Sequence, residues 1–585
     1  MSKILKLKDR GLWRMVVSVL FGVGVWLFWW QLYPHALSYQ EQYQLFQLTG
    51  DYFCERLCAV GGLADWLGEF VTQFYFIPSL GAFFLAVVFM ALHRQTAKVC
   101  NFPNTGLWLL SFVPPLLLLW LMGDESVLLS YPLALLMVMS VACLVSSGEN
   151  KVSGLRFTDQ SSNHKVQSSK FKVQSPNPKV QSLFAAADAL MVVVLYWLAG
   201  PAVWLYALLR VVLKRNWRWL WLPLWVALVM LLARATVLQQ WPWQEVLLTM
   251  TYYRVPMQVP VLLWLIPLVI VALVALGRER VLGNGGSVDR SRTSVGWLLL
   301  GGAACVVVGF LAVTKGFPKD KYELIRQDYL VRSEQWDEIV ERAQRYQVPT
   351  AFSSVCVNLA LGMRHELADR MFSFYQSGED ALIMPRYRDL TSDLPSAEAF
   401  WRLGFVNSAQ RYMFDIQESI LNGKKSSRCT QRIVECMMVN GHYNVARKHL
   451  ELLKNTLFYR SWALNAEKYL NNDAWVNTHP VWGRLRRLRF KDNFLFSYSE
   501  MDTMLGMLYD NNHENRLALE YFLGQLLLKG SMQKFMQYLQ WAQQSGFYQS
   551  MPIGYQDAVR CVQQQGNVAG SPYAGYVKRK MSGGE

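Results

Sequence analysis

The stretch WLLLGGAACVVVGFLAVTKGFPKDKYELIRQDYL, residues 297–330, decides the fold. Up to Val313 it carries no charge, and from Lys315 onward charged residues recur every few positions. A helix crossing the hydrocarbon core needs about 20 apolar residues, and its backbone groups must be satisfied inside the helix. Amphipathic, charged helices belong in water. The chain therefore changes solvent here, and the boundary predicts a transmembrane domain over 1–314 followed by a helical-repeat domain over 315–585.

Upstream the same apolar texture recurs at Val16–Trp30, Phe83–Leu92 and Val261–Leu276. Tryptophans and tyrosines flank these runs, as at Trp29, Trp30, Tyr33, Trp217, Trp219, Trp221, Trp241 and Trp243, the preference of amphipathic rings for the headgroup level. Lys3, Lys6, Lys8, Arg10 and Arg14 precede the first run, which sets the N-terminus in the cytoplasm under the positive-inside rule. An outer loop over 34–70 follows. The next spans are expected over 71–92, 105–122 and 127–146, with a basic inner turn His93–Lys98 and the acidic outer turn Asp124–Glu125. Residues 183–214 are too long for one span and are broken at Gly200–Pro201, so a helical hairpin is expected there. Spans at 219–237, 258–276 and 295–314 complete about nine, which delivers residues 315–585 to the periplasmic side of a bacterial inner membrane. The net charge of +16 is mostly a signature of inner loops, not of a nucleic-acid partner.

The loop over 147–182 repeats Lys165–Val166–Gln167–Ser168 at 172–175 and 179–182. With one apolar residue in most units it cannot form a coiled-coil seam, and a disordered cytoplasmic insertion is expected.

Beyond Lys315 the pattern is one amphipathic helix after another. Tyr322-x2-Ile325-x3-Tyr329 is followed by Trp336-x2-Ile339-x3-Ala343, and a second pair spans Ala351–Leu361 and Glu366–Tyr375. Further helices are expected at 500–510, 514–529, 531–545 and 554–565. The segment Arg432–Val439, Gly441–His442–Tyr443, Ala446 and Leu450–Leu453 resembles a tetratricopeptide repeat, in which small residues sit where two antiparallel helices cross. The fold class expected is all-α: a polytopic helical bundle, then a tetratricopeptide-like array of the kind that holds proteins or peptides.

The outer loop reads Tyr33–Pro34–His35, Gln40–Glu41–Gln42, Thr49–Gly50–Asp51–Tyr52, Gly61–Gly62 and Asp65–Trp66, and runs into Thr72–Gln73–Phe74 and Pro78-x2-Gly81–Ala82. In these residues the chain resembles an uncharacterised family of multi-pass membrane proteins from Bacteroides-type bacteria. That resemblance implies an envelope membrane location and an extracytoplasmic helical domain, and no activity. A weaker resemblance is to polytopic glycosyltransferases that use lipid-phosphate-linked sugars, which carry acidic residues in a long first outer loop. It implies Glu41, Asp51 and Glu55, with Asp124 and Glu125, as carboxylates acting as base toward an acceptor or holding a divalent cation. Arg234 and Arg254 would then meet the lipid phosphate, and a lipid-linked glycan would be the partner. The opposing reading is that these are solvated loop charges.

The leading expectation is a scaffold or assembly factor with the lipid bilayer and a protein or peptide as partners, and with no cofactor. Asp188, ionisable within an apolar span, raises transport as a third reading, although its place near the inner end would let it reach water. Cys54 and Cys58 are poorly spaced for a disulfide on one helix. Cys429, Cys436, His442 and His449 do not have zinc spacing. The run Arg484, Arg486, Arg487, Arg489 and Lys491 is read as a solvated helix face or an anionic-lipid contact.

Overall fold

The computed structural model describes all residues except 1, 103–104, 161–177, 215–216, 244–245, 248–251, 256–258, 283–294, 491–495, 565–567 and 583–585. The chain is all-helical, and among the described residues the only β pairing is an isolated antiparallel bridge between Val127 and Tyr253. It divides into two compact units, one of Met1–Gln40 with Leu48–Pro318, the other of Glu41–Gln47 with Lys319–Glu585.

The first unit begins with α1 (Ser2–Leu27), α2 (Pro34–Gln42, whose last two residues belong to the second unit), α3 (Gly50–Leu57) and α4 (Gly62–Thr72). It continues with α5 (Pro78–Cys100), α6 (Thr105–Leu109), α7 (Val113–Met122), α8 (Ser130–Gln160) and α9 (Pro178–Ala199). α10 (Val203–Lys214), α11 (Trp221–Thr236), α12 (Leu262–Leu282) and α13 (Val295–Gly316) complete it. Among the described residues seven stretches are long and apolar enough to cross a membrane: Gly11–Leu32, Pro78–Cys100, Thr105–Met122, Ser130–Glu149, Ser182–Lys214, Arg218–Thr236 and Gly296–Gly316. Leu262–Gly277 is a shorter apolar helix.

Three sequence expectations shift. The second candidate span starts at Pro78, not at 71, because proline suits the first turn of a helix; residues 71–76 instead finish α4 and form the turn Gln73–Phe76. His93 is not in an inner loop. α5 continues to Cys100, and the imidazole is fully buried between Ser18 (3.0 Å) and Ser111 (3.1 Å), stacked 3.7 Å over Phe112. The insertion over 147–182 is helical at both ends, since α8 runs to Gln160 and α9 begins at Pro178; once a helix is nucleated each added residue costs little. Its centre, residues 161–177, lies outside the described residues.

At Gly200 (φ +73°) the chain turns back, as the Asp188–Arg210 ion pair of 2.8 Å requires of residues that a continuous helix would hold about 33 Å apart. Ala202 N donates to the Tyr252 hydroxyl at 3.0 Å, and that hydroxyl donates to Ala199 O, so the backbone groups freed by the break are answered. α6 and α13 touch backbone to backbone: a Cβ on Gly301 would stand 2.3 Å from Gly106 O, the close approach that small residues permit between apolar helices.

The second unit comprises α14 (Lys319–Arg332), α15 (Trp336–Arg345), α16 (Ala351–Met363), α17 (Leu367–Arg370), α18 (Leu394–Leu403) and α19 (Val406–Glu418). Then come α20 (Ser427–Asn440), α21 (Tyr443–Lys454), α22 (Arg460–Glu467), α23 (Asp473–Thr478) and α24 (Trp482–Leu488). α25 (Met501–Asn511), α26 (Arg516–Lys529), α27 (Met532–Gln544), α28 (Ile553–Gln563) and α29 (Pro572–Met581) end it. The helices expected over 500–565 are present within a few residues, whereas Glu366–Tyr375 shortens to α17 and the turn Met371–Ser373.

One turn recurs. A residue in the left-handed region ends a helix, a single residue follows, and the next helix starts. Glu334, His365, Gly404, Gly441 and Gly530 are the left-handed residues. The following N–H of Gln335, Glu366, Phe405, His442 and Ser531 donates back five residues at 2.8–2.9 Å, which satisfies a carbonyl at the helix end. A left-handed L-residue costs about 1–2 kcal/mol, part of which glycine would return as lost chain entropy. His365 is exposed, so His365→Gly is expected to stabilise the protein by about 0.5–1 kcal/mol and raise its melting temperature by about 1–4 °C. A lowered melting temperature of the full-length protein would contradict this account of the turn.

Candidate functional site: a buried cradle for residues 41–47

Glu41–Gln47 lie inside the second unit. α2 ends at Gln42 and the chain then runs without regular structure, yet Gln42, Tyr43, Leu45 and Phe46 are at most 4% exposed. Such a segment must find partners for its backbone. Ser427 N donates to Gln44 O at 3.0 Å and the Ser426 hydroxyl to Gln42 O at 2.6 Å, both from the start of α20. The Tyr43 hydroxyl donates to Leu390 O at 2.5 Å. Arg428 donates to the Gln42 side-chain oxygen at 2.8 Å.

Charge is handled by pairing. Arg428 also donates to both Asp328 oxygens (2.9 and 2.7 Å), and its second nitrogen lies 3.4 Å from Glu398. Arg432 holds Glu398 at 3.1 and 2.8 Å and Glu435 at 2.6 Å, and it sits over the Trp401 ring. Glu41 accepts from the Tyr459 hydroxyl (2.9 Å) and the Ser427 hydroxyl (3.1 Å) and lies 3.6 Å from Arg332. Burial raises the Glu41 pKa against the pull of Arg332, Tyr459 and Ser427. At Glu398 burial also pushes upward, but Arg432, Arg428 and Arg402 outweigh it and bring the carboxyl down to about 2.

The remaining acidic candidates are dispersed. Asp51 and Glu55 are exposed on α3; Asp51 stands in its first turn beside the Thr49 cap, a position that favours a negative charge. Asp124 accepts from Ser126 N (3.0 Å) and the Tyr253 hydroxyl (2.7 Å). Arg254 donates to Glu125 O (3.0 Å) and Gln40 O (3.1 Å), so its guanidinium joins backbone segments. Arg234 donates to Gln239 O and lies over Trp243. Asp124, Glu125 and Arg254 therefore meet, while Glu41 belongs to the other unit.

Sequence reading missed one group and misjudged the surroundings of two others. In the first unit Arg56 bridges Glu69 (3.2 Å) and the Tyr52 hydroxyl (2.9 Å), for which the i,i+4 spacing of Tyr52 and Arg56 was a signal. Asp188 does not reach water. It is fully buried, held by Arg210 at 3.0 and 2.8 Å and by Tyr206 at 2.5 Å, and Arg210 and Lys214 also pair with Glu149. Two members of the arginine run are tied down and do not form part of a free cationic patch: Arg486 donates to Met438 O (2.8 Å), Val439 O (3.1 Å) and Asp473 (2.8 Å), and Arg489 to Asn440 (3.0 Å), while Arg487 is exposed as a solvated face expects. Lys491 lies outside the described residues. Cys54 and Cys58 are free thiols, Cys429 and Cys436 are buried, and among the described residues no three His, Cys, Asp or Glu side chains meet as a metal would require.

A model described as a family of unknown function (DUF6057) matches residues 11–576. The chain belongs to this family. No curated protein and no solved structure matches it. The match to DUF6057 covers both units, including the 41–47 segment and its cradle.

The cradle predicts an acid sensitivity. Because the Glu398 pKa is lowered in the folded state, its stabilisation is full above about pH 4.5, falls as the pH drops toward 2, and amounts to about 3 kcal/mol at neutral pH. Melting temperatures of the full-length protein from pH 7 to pH 2 are expected to show Glu398→Gln well below wild type at pH 7, with the gap closing toward pH 2. A gap that does not change with pH would contradict this.

Proposed function

We propose that the chain is a multi-pass inner-membrane protein acting as a scaffold or assembly factor through a tetratricopeptide-like helical array. The observation that carries this reading is the seated 41–47 segment. A helical unit that grips an irregular segment through backbone carbonyls, a glutamine amide and a tyrosine hydroxyl uses the chemistry of peptide holding. The recurrent left-handed turn supports a repeat origin for the array. If α9 and α10 are separate spans and Leu262–Gly277 crosses as well, the seven apolar stretches become about nine, which supports a cytoplasmic N-terminus and a periplasmic second unit. The pairing of Asp188, Arg210, Glu149 and Lys214 is electrically balanced, which favours a structural lock over a transport path.

Lipid-linked glycosyl transfer stands as the second reading, favoured by the folding of the outer loop into α3 and α4 with Asp51 and Glu55 exposed on one face. Asp51 or Glu55 would act as base or hold a divalent cation. Glu41, already accepting from Tyr459 and Ser427 and 4% exposed, fits that role poorly.

Complementation of a gene deletion separates the two. With protein levels equal, the scaffold reading expects Trp475→Asp together with Ile553→Asp, both exposed on the array, to lose function while Asp51→Asn and Glu55→Gln retain it. Loss of a surface glycan in Asp51→Asn, with the array variant still functional, would overturn it in favour of the enzyme.

A further inference from the structure

The second unit carries a pocket that neither reading uses. α25 and α27 begin side by side, with Lys534 3.4 Å from Asp502, and they meet again near their ends, where the Tyr509 and Trp541 rings lie 5.6 Å apart. They therefore run parallel, with α26 returning between them. The two contacts bridge α25 and α27 at either end of a pocket of about 400 Å³ whose floor is Leu519 and Phe522 of α26. That volume is in the range of small-ligand sites, about 300–1,000 Å³. Gly506 keeps it open: a Cβ there would already stand 3.4 Å from the Phe522 ring, and a longer side chain would enter the space.

The lining defines the ligand. Tyr538, Trp541 and Met507 are each about two-fifths exposed and offer apolar surface. Thr503, Gln537, Asp510 and Lys534 stand at the rim as hydrogen-bonding groups. Asp502 pairs with Lys529 and Lys534, so the pocket is close to neutral and a charged ligand would gain no net attraction there. An extended peptide lies along a groove, whereas the Asp502–Lys534 and Tyr509–Trp541 contacts cross this one at either end. A compact, uncharged molecule with apolar C–H faces and a hydroxylated edge meets every condition. We propose that this pocket binds a neutral glycan unit of one or two sugar rings, C–H faces against Tyr538 and Trp541 and hydroxyls toward Gln537, Thr503 and Asp510. It does not rest on the scaffold reading.

The test uses full-length protein in lipid nanodiscs, free of glycoside detergents whose headgroups would compete. Saturation-transfer NMR is recorded with neutral tetrasaccharides of β-glucose, N-acetylglucosamine, mannose and rhamnose. At least one is expected to bind, with affinity reduced at least tenfold by Gly506→Leu and by Tyr538→Ala. Leucine favours a helix where glycine does not, so Gly506→Leu should block the pocket without lowering the melting temperature; should it lower it, Tyr538→Ala decides. Absence of binding by all four sugars overturns the proposal, as does binding that both variants leave unchanged. So does binding of an apolar peptide that Gly506→Leu abolishes while the sugars do not bind.

Discussion

The guanidinium of Arg428 is the group on which the second unit depends. It is 5% exposed, and removing one partner from a buried charge costs about 3–5 kcal/mol. Its partners come from three places in the sequence: Asp328 on α14, Glu398 on α18, and Gln42, which lies 386 positions earlier in the chain. Glu398 in turn is shared with Arg432, and Glu41 next to Gln42 is shared with Tyr459 and Ser427. The interior of the unit is complete only with residues 41–47, which lie far ahead of the rest of it in sequence.

The apolar half was the more legible because long uncharged runs leave few choices. Hydrocarbon admits helices of a given length and little else, so long apolar runs could be read as spans and Gly200–Pro201 as a break. What misled was local. Pro78 sets where the second long apolar helix begins, and His93 looked like the start of a basic loop although Ser18 and Ser111 answer both ring nitrogens inside the bundle. Neither partner adjoins it in sequence.

In the second unit the helices were readable from their period, and the Gly441 turn from its glycine. The same turn at Glu334 and His365 was not, because those residues adopt the left-handed region without any compositional mark. The cradle was invisible for a deeper reason. Glu41 and Arg428 are ordinary charged residues in sequence, and only tertiary pairing turns them into a buried network. That is also why the Glu41 carboxylate could be read as a catalytic candidate: isolated acidity looks the same whether it meets substrate or arginine.

The function argued for rests on the 41–47 segment being an integral, buried part of the array. Hydrogen exchange on the full-length protein in nanodiscs tests this most directly. Peptides covering residues 41–47 and the start of α20 are predicted to be protected to the same degree as the α20–α21 pair, and Gln42→Ala should speed exchange in both together. Exchange over 41–47 as fast as in an exposed loop, with α20 still protected, would contradict the account.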